Sequence, residues 1–156
     1  MSNPGQESDS VVSAVYDAAI RLLVRREHSV AELRRKLQSR GHDGEIVEQV
    51  LERLQEERLL SNERFVEAYV RSRYEKGFGP LRIQAELRER GVPGALVAQG
   101  IEPEGTHWVE LMSRVRQKRF GSALPADYPE QARQMRFLQY RGFAVEQIRQ
   151  LLQREG

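Results

Sequence analysis

The sequence contains no cysteine, which excludes disulfides and thiolate metal sites and suits a reducing compartment. Histidine is scarce: His28, His42 and His107 stand far apart and match no zinc-ligand spacing. Aromatic residues make up only 7%, with one tryptophan. No apolar run approaches the roughly 20 residues of a membrane span. The first ten residues are polar and acidic, unlike a secretory leader with its basic start and apolar middle. A cytoplasmic protein is expected.

Signatures of catalysis are absent too. Gly77-Phe78-Gly79 is short and lacks the Gly-Lys-Ser/Thr ending of a phosphate-cradling loop, so it reads as a connector. Ser29 and Ser61 read as helix caps rather than nucleophiles. Glu56 and Glu57 are adjacent, and on a helix adjacent side chains diverge, which suits a solvated face. The sequence therefore predicts no enzyme, with no catalytic residue, no cofactor and no metal assigned.

What is abundant is charge. Charged residues make up 31% of the 156, at a net charge of +2. The balance is uneven. Residues 105–156 carry nine basic and five acidic side chains, whereas 13–60 and 61–104 are each balanced. A local basic surplus favours a polyanion without requiring one.

One stretch organises the rest. Gly79 to Val92 reads as a complete short helix. Pro80 suits the first helical position, Ile83 and Leu87 lie on one face, and Gly91 supplies a left-handed C-cap. The same layout recurs around Gly41 and Gly142, so the three glycines lie 50 and 51 residues apart. Each follows an arginine (Arg40, Arg90, Arg141) and has leucine four positions before it (Leu37, Leu87, Leu138). Eight positions before stand Leu33 and Ile83, but then Gln134, where the third copy departs. Three such stretches at near-equal spacing signal a repeat.

Around these stretches the periodicity is helical throughout, and nothing reads as strand. Residues 1–11 lack apolar periodicity and are expected to form a disordered tail. Residues 12–60 form a first three-helix repeat, with the capping box Ser29-x-x-Glu32 and an N-cap at Asp43. Residues 61–104 form a second, capped by Ser61, with a short third helix after Pro93 that ends near Gln99-Gly100. Residues 105–156 form a third, with Thr106 as a cap, Trp108, Leu111, Met112 and Val115 facing inward, and Asp127-x-x-Glu130 opening the next helix. One 50-residue unit buries too little surface to be robust alone. The expected fold is all-α: three tandem three-helix repeats, helix-turn-helix-like, stacked into an elongated, curved molecule.

The candidate binding residues are the basic ones: Arg71, Arg73, Lys76, Arg114, Arg116, Lys118, Arg119, Arg133, Arg136 and Arg141. They could neutralise phosphates, or simply form a solvated face. Tyr140 or Phe143 could stack on a base, although packing of Phe137, Tyr140 and Phe143 in the core is the favoured reading. Reversing the charge of Arg116 and Arg119 together is expected to weaken binding and spare folding.

Arg64-Phe65 and Tyr69 before Gly79, then Ile83-x-x-Glu86-Leu87-x-x-x-Gly91-Val92, then Arg136-Phe137-Leu138 and Arg141-Gly142-Phe143 with Ile148, together resemble the bacterial RecX family. The likeness spans about residues 13–155. It implies a regulator of the RecA recombinase that binds the helical groove of the RecA–single-stranded DNA filament. Such a protein would negatively modulate ATPase, strand exchange and co-protease activities, and so bear on homologous recombination, DNA repair and the SOS response. It implies no catalytic residues. Weak single- or double-stranded DNA binding, a monomeric state and no membrane contact are expected with it. The alternative is a direct DNA-binding helix-turn-helix module or transcriptional regulator.

Overall fold

Four helix starts are fixed by capping side chains. Ser29 Oγ accepts from the Glu32 N–H at 3.0 Å while Glu32 accepts from the Ser29 N–H at 3.2 Å, a closed capping box. Asp43, Ser61 and Asp127 each accept from the backbone three residues on. Gly105, not Thr106, is the N-cap of its helix, and no side chain caps it.

The fold is that of a computed structural model in which residues 4–153 are described. Among them lie nine helices and no strand: α1 (Pro4–Arg25), α2 (Val30–Ser39), α3 (Gly44–Glu56), α4 (Asn62–Glu75), α5 (Pro80–Glu89), α6 (Gly94–Gly100), α7 (Thr106–Phe120), α8 (Tyr128–Arg141) and α9 (Val145–Leu152). Close helix pairing falls within three successive triplets: α1–α3, α4–α6 and α7–α9. The repeat leucines are the centre of each triplet. Leu33, Leu37, Ile83, Leu87 and Leu138 are completely buried. Each such side chain contributes roughly 1.5–3 kcal/mol on burial.

One expectation needs correction, and the core is divided. The tail expected to be disordered through residue 11 is instead helical from Pro4, its residues 1–3 lying outside the described ones. Once the packed part of α1 exists, adding each further residue costs little, and Pro4 suits the first helical position. Nor is the core continuous. The first triplet has its own cluster around Leu33, Val47 and Leu54, whereas the second and third share one that runs from Phe65 to Leu152.

The triplets are joined end to end through their middle helices. At one junction the C-terminal carbonyls of α8 accept from the N-terminus of α5: Gly79 N–H to Arg141 O at 2.7 Å and Leu81 N–H to Gly142 O at 3.0 Å. Donors and acceptors that neither helix can satisfy internally thus satisfy each other. At the other junction Ser29 Oγ, at the N-cap of α2, donates to Arg90 O at the end of α5, at 2.6 Å. Asn62 Oδ1 accepts from the Val30 N–H at 2.9 Å, and Glu27 pairs with Arg64 at 3.0 Å. The repeat glycines permit this approach. A Cβ on Gly91 would stand 2.3 Å from the Ala31 Cβ, and one on Gly142, at φ 105°, 2.4 Å from the Arg82 Cβ. Around Gly41, at the free end of the column, nothing approaches.

The accessible surface is 9949 Å² for 18.0 kDa. A compact monomer of that mass would expose about 8,000 Å². The excess matches an elongated stack.

Candidate functional site

Two grooves of similar size flank the C-terminal end of α4, and their charges differ. The first, about 430 Å³, lies between the first two triplets. Three of its four cations are compensated or covered, and the fourth, Lys76, is shared with the second groove. Arg26 pairs with Glu32 at 3.1 Å, Arg73 with Glu86 at 2.9 Å, and Arg90 lies over the Tyr69 ring at 4.7 Å. Tyr69 donates to Glu86 at 2.8 Å. Burial and that carboxylate push its hydroxyl up to about 12, so it stays a donor at any physiological pH. This groove is structural mortar.

The second groove, about 440 Å³, lies where the C-terminal ends of α4, α7 and α8 converge. Helical spacing builds it. Leu111 and Val115 lie one turn apart and form the floor with Phe137, while Arg114 and Lys118, also one turn apart, stand on the rim with Arg119. Lys76 caps the end of α4 and Arg141 ends α8. Cations at these positions also offset the carbonyl ends of the helices. Lys76 and Lys118 have no side-chain partner among the described residues. Arg114 donates to the Tyr74 hydroxyl at 3.0 Å, and Arg141 to Lys76 O at 3.0 Å. The single carboxylate lining the groove, Glu75, pairs with none of them. Five cations thus face one carboxylate.

The structure therefore brings together Lys76, Arg114, Lys118, Arg119 and Arg141 and separates the other candidates. Arg71 is exposed on a different side of α4, near His107 and Trp108. Arg73 is tied to Glu86 and stacked on Phe78 at 3.8 Å. Arg133 pairs with Glu130 at 3.2 Å and covers Phe120. Arg136 is exposed outside the groove.

Arg116 is corrected outright: it is 4% exposed and cannot meet a partner. Its guanidinium donates to the carbonyls of Ser122 and Ala123 and to Gln134 Oε1, each at 3.2 Å, and latches the α7–α8 loop. Charge reversal there would disrupt the fold, contrary to the expectation for the paired Arg116 and Arg119 change. Tyr140 is 75% exposed rather than packed, while Phe143 is buried. Sequence reasoning missed Arg82, which lies over Phe78 at 4.4 Å and Tyr140 at 5.0 Å and donates to Tyr140 O. A signal existed: a cation in the first turn of α5 opposes the helix dipole and calls for another reason to be there.

Sequence profiles of one family match all three triplets. "RecX, first three-helix domain" covers residues 16–54, "RecX, second three-helix domain" 61–101 and "RecX, third three-helix domain" 109–152. The chain belongs to the RecX family. It is similar to "Regulatory protein RecX" of Halorhodospira halophila (strain DSM 244 / SL1), 49% identical over 92% of this chain and 89% of that one. The RecX of Pseudomonas savastanoi pv. phaseolicola (strain 1448A / Race 6) is 44% identical over 92% of each chain. Among solved structures, RecX from Lactobacillus salivarius superposes with a TM-score of 0.77 at 20% identity, covering 92% of this chain and 97% of that one. A second, titled regulatory protein RecX, gives 0.80 at 18% identity over 96% and 74%. Likeness at that identity shows the RecX fold alone. The relatives are regulatory proteins by name, and regulation is the coarse role the chain shares with them. Among the described residues, no three or more of His, Asp and Glu gather as a metal site would need, and no helix is long and apolar enough to cross a membrane.

Proposed function

We propose that this RecX-family chain binds the RecA–single-stranded DNA filament in its helical groove and lowers RecA ATPase, strand exchange and co-protease activities. One observation carries the reading beyond the family name: an uncompensated basic groove on an elongated scaffold. Such a surface recognises an anionic partner by docking, with no reacting groups of its own. The cytoplasm is the matching compartment, and one copy of the chain is the acting unit. In this reading the protein restrains recombination and the SOS response during DNA repair.

Direct DNA reading as a helix-turn-helix module is less well supported. A recognition helix presents its N-terminal residues to base edges in the major groove. The N-termini of α2 and α5 are instead covered by the C-terminal ends of α5 and α8. Weak, salt-sensitive contact of the same cations with phosphates is compatible with both readings.

The test is a titration of RecA's DNA-dependent ATP hydrolysis. Substoichiometric protein is expected to suppress it, and Lys118→Glu to weaken the suppression. Unchanged hydrolysis at equimolar protein and low salt would overturn the reading.

A further inference from the structure

The groove formed by α4, α7 and α8 has a composition that narrows its partner. Its rim is cationic and its floor is apolar: Leu111, Val115 and Phe137. A nucleic-acid strand carries a charge at every repeat and is gripped without sequence preference by a basic track combined with free aromatic faces on which bases stack. The aromatic faces here are taken. Phe137 has the Arg119 guanidinium 5.6 Å and the Arg141 guanidinium 5.3 Å from its centroid, with the Phe120 edge at 5.3 Å. Phe78, beside the groove, carries Arg73, Arg82 and Arg141 within 5 Å of its centroid. No platform remains for a base inside the groove.

A polypeptide fits these facts better. Guanidinium forks take carboxylates and phosphates alike in two-point contact, so the apolar floor is what discriminates. An extended segment that mixes acidic and apolar residues sends the first to the rim and the second to the floor. Resting on the proposed regulatory role, we infer that this groove is the receptor for an acidic, leucine-bearing polypeptide segment of the partner, not for its nucleic acid. Lys118 is the reporter of choice, being exposed and without a partner among the described residues. Glu75 repels such a segment and sets how acidic the segment must be.

The experiment uses the full chain and two labelled probes: a peptide of Glu-Glu-Leu repeats and an oligothymidylate of the same net charge, followed by fluorescence anisotropy at low salt. The peptide is expected to bind saturably and more tightly than the oligothymidylate. Lys118→Glu should weaken it by about tenfold or more, as reversal of an interfacial charge does. Arg35→Glu, the same charge change on an exposed residue of α2 far from the groove, should leave it unaltered. Tighter oligothymidylate binding would assign the groove to nucleic acid and overturn the inference. Equal weakening by both variants would show bulk charge alone, and absence of saturable peptide binding would likewise sink it. If the peptide fails while wild-type protein still suppresses RecA ATP hydrolysis, the inference falls and the regulatory role stands. If suppression is absent, the regulatory role falls, and the peptide result is still read directly.

Discussion

Arg116 Nη1 donates to Gln134 Oε1 at 3.2 Å inside the third triplet, and both side chains are buried. Gln134 holds the position filled by Leu33 and Ile83 in the other two copies. The departure from the repeat pattern is therefore compensated: one polar residue on α8 answers one on α7. Arg116→Met leaves Gln134 and the Ser122 and Ala123 carbonyls without their donor and should destabilise by about 2–4 kcal/mol. Gln134→Leu added to it should recover the part of that loss that comes from Gln134, because the buried polar pair is then replaced by apolar contact, while the Ser122 and Ala123 carbonyls stay without their donor. Urea unfolding of the singles and the double decides it; a double variant no more stable than Arg116→Met would refute the pairing.

Gly142 and Gly41 both have positive φ, at 105° and 88°, but only Gly142 sits in a junction. Alanine at either position should cost about 1 kcal/mol for the left-handed backbone. At Gly142 it should cost about 1–3 kcal/mol more, because its Cβ would meet Arg82 and the crowding must be relieved. Equal losses in thermal unfolding would show that the close approach of α8 to α5 is unimportant.

Leu87 is completely buried at the centre of the second triplet. Leu87→Ala should destabilise by about 2–5 kcal/mol. An unmoved melting curve would contradict its place in the core.

His28 gives a pH dependence of known sign. Its ring is 1% exposed, donates through Nδ1 to Arg26 O at 3.0 Å and accepts at Nε2 from the Lys36 ammonium at 2.9 Å. That pattern requires the neutral ring. Burial lowers its pKa below the ordinary 6.5, and the charges of Arg26 and Lys36 push the same way, against the Arg26 carbonyl and Glu32. The unfolded chain therefore takes up a proton that the folded one resists. Stability should fall as pH drops below 6.5 and keep falling until the folded ring itself protonates. Glu32 adds a loss only at lower pH: burial raises its pKa, but hydrogen bonds from Arg26 and the Ser29 N–H bring it below 4.5. Urea midpoints measured from neutral pH down to mildly acid should show a slope that His28→Gln removes. A slope unchanged in that variant would exclude His28 as its source.

The repeat was legible because its marks are local. A left-handed glycine, a leucine one turn before it and a cap at the other end are set by helix geometry within a dozen residues. The basic groove was half legible, since helical spacing puts Arg114 and Lys118 on one edge of α7. It did not reveal which cations would find carboxylates, because Arg73–Glu86 and Arg64–Glu27 depend on how distant segments meet. Arg116 was misread although its phase was visible. Positions 108, 112 and 116 follow at intervals of four, and Trp108 and Met112 are core, so an arginine next in that row lies inward. Tyr140 was misplaced by the same oversight, two residues past the buried Leu138 and hence on the opposite side of α8. The junctions could not be read at all. Where α8 meets α5 the contacts are main-chain groups, which every sequence possesses, and where α5 meets α2 they pair residues 32 to 61 positions apart.

Where α8 meets α5 through carbonyls, amide protons and a glycine without a side chain, that contact asks little of the residues around it. Solved structures only 18–20% identical to this one retain its architecture with TM-scores of 0.77 and 0.80. A framework held in this way keeps its shape while its outer faces change.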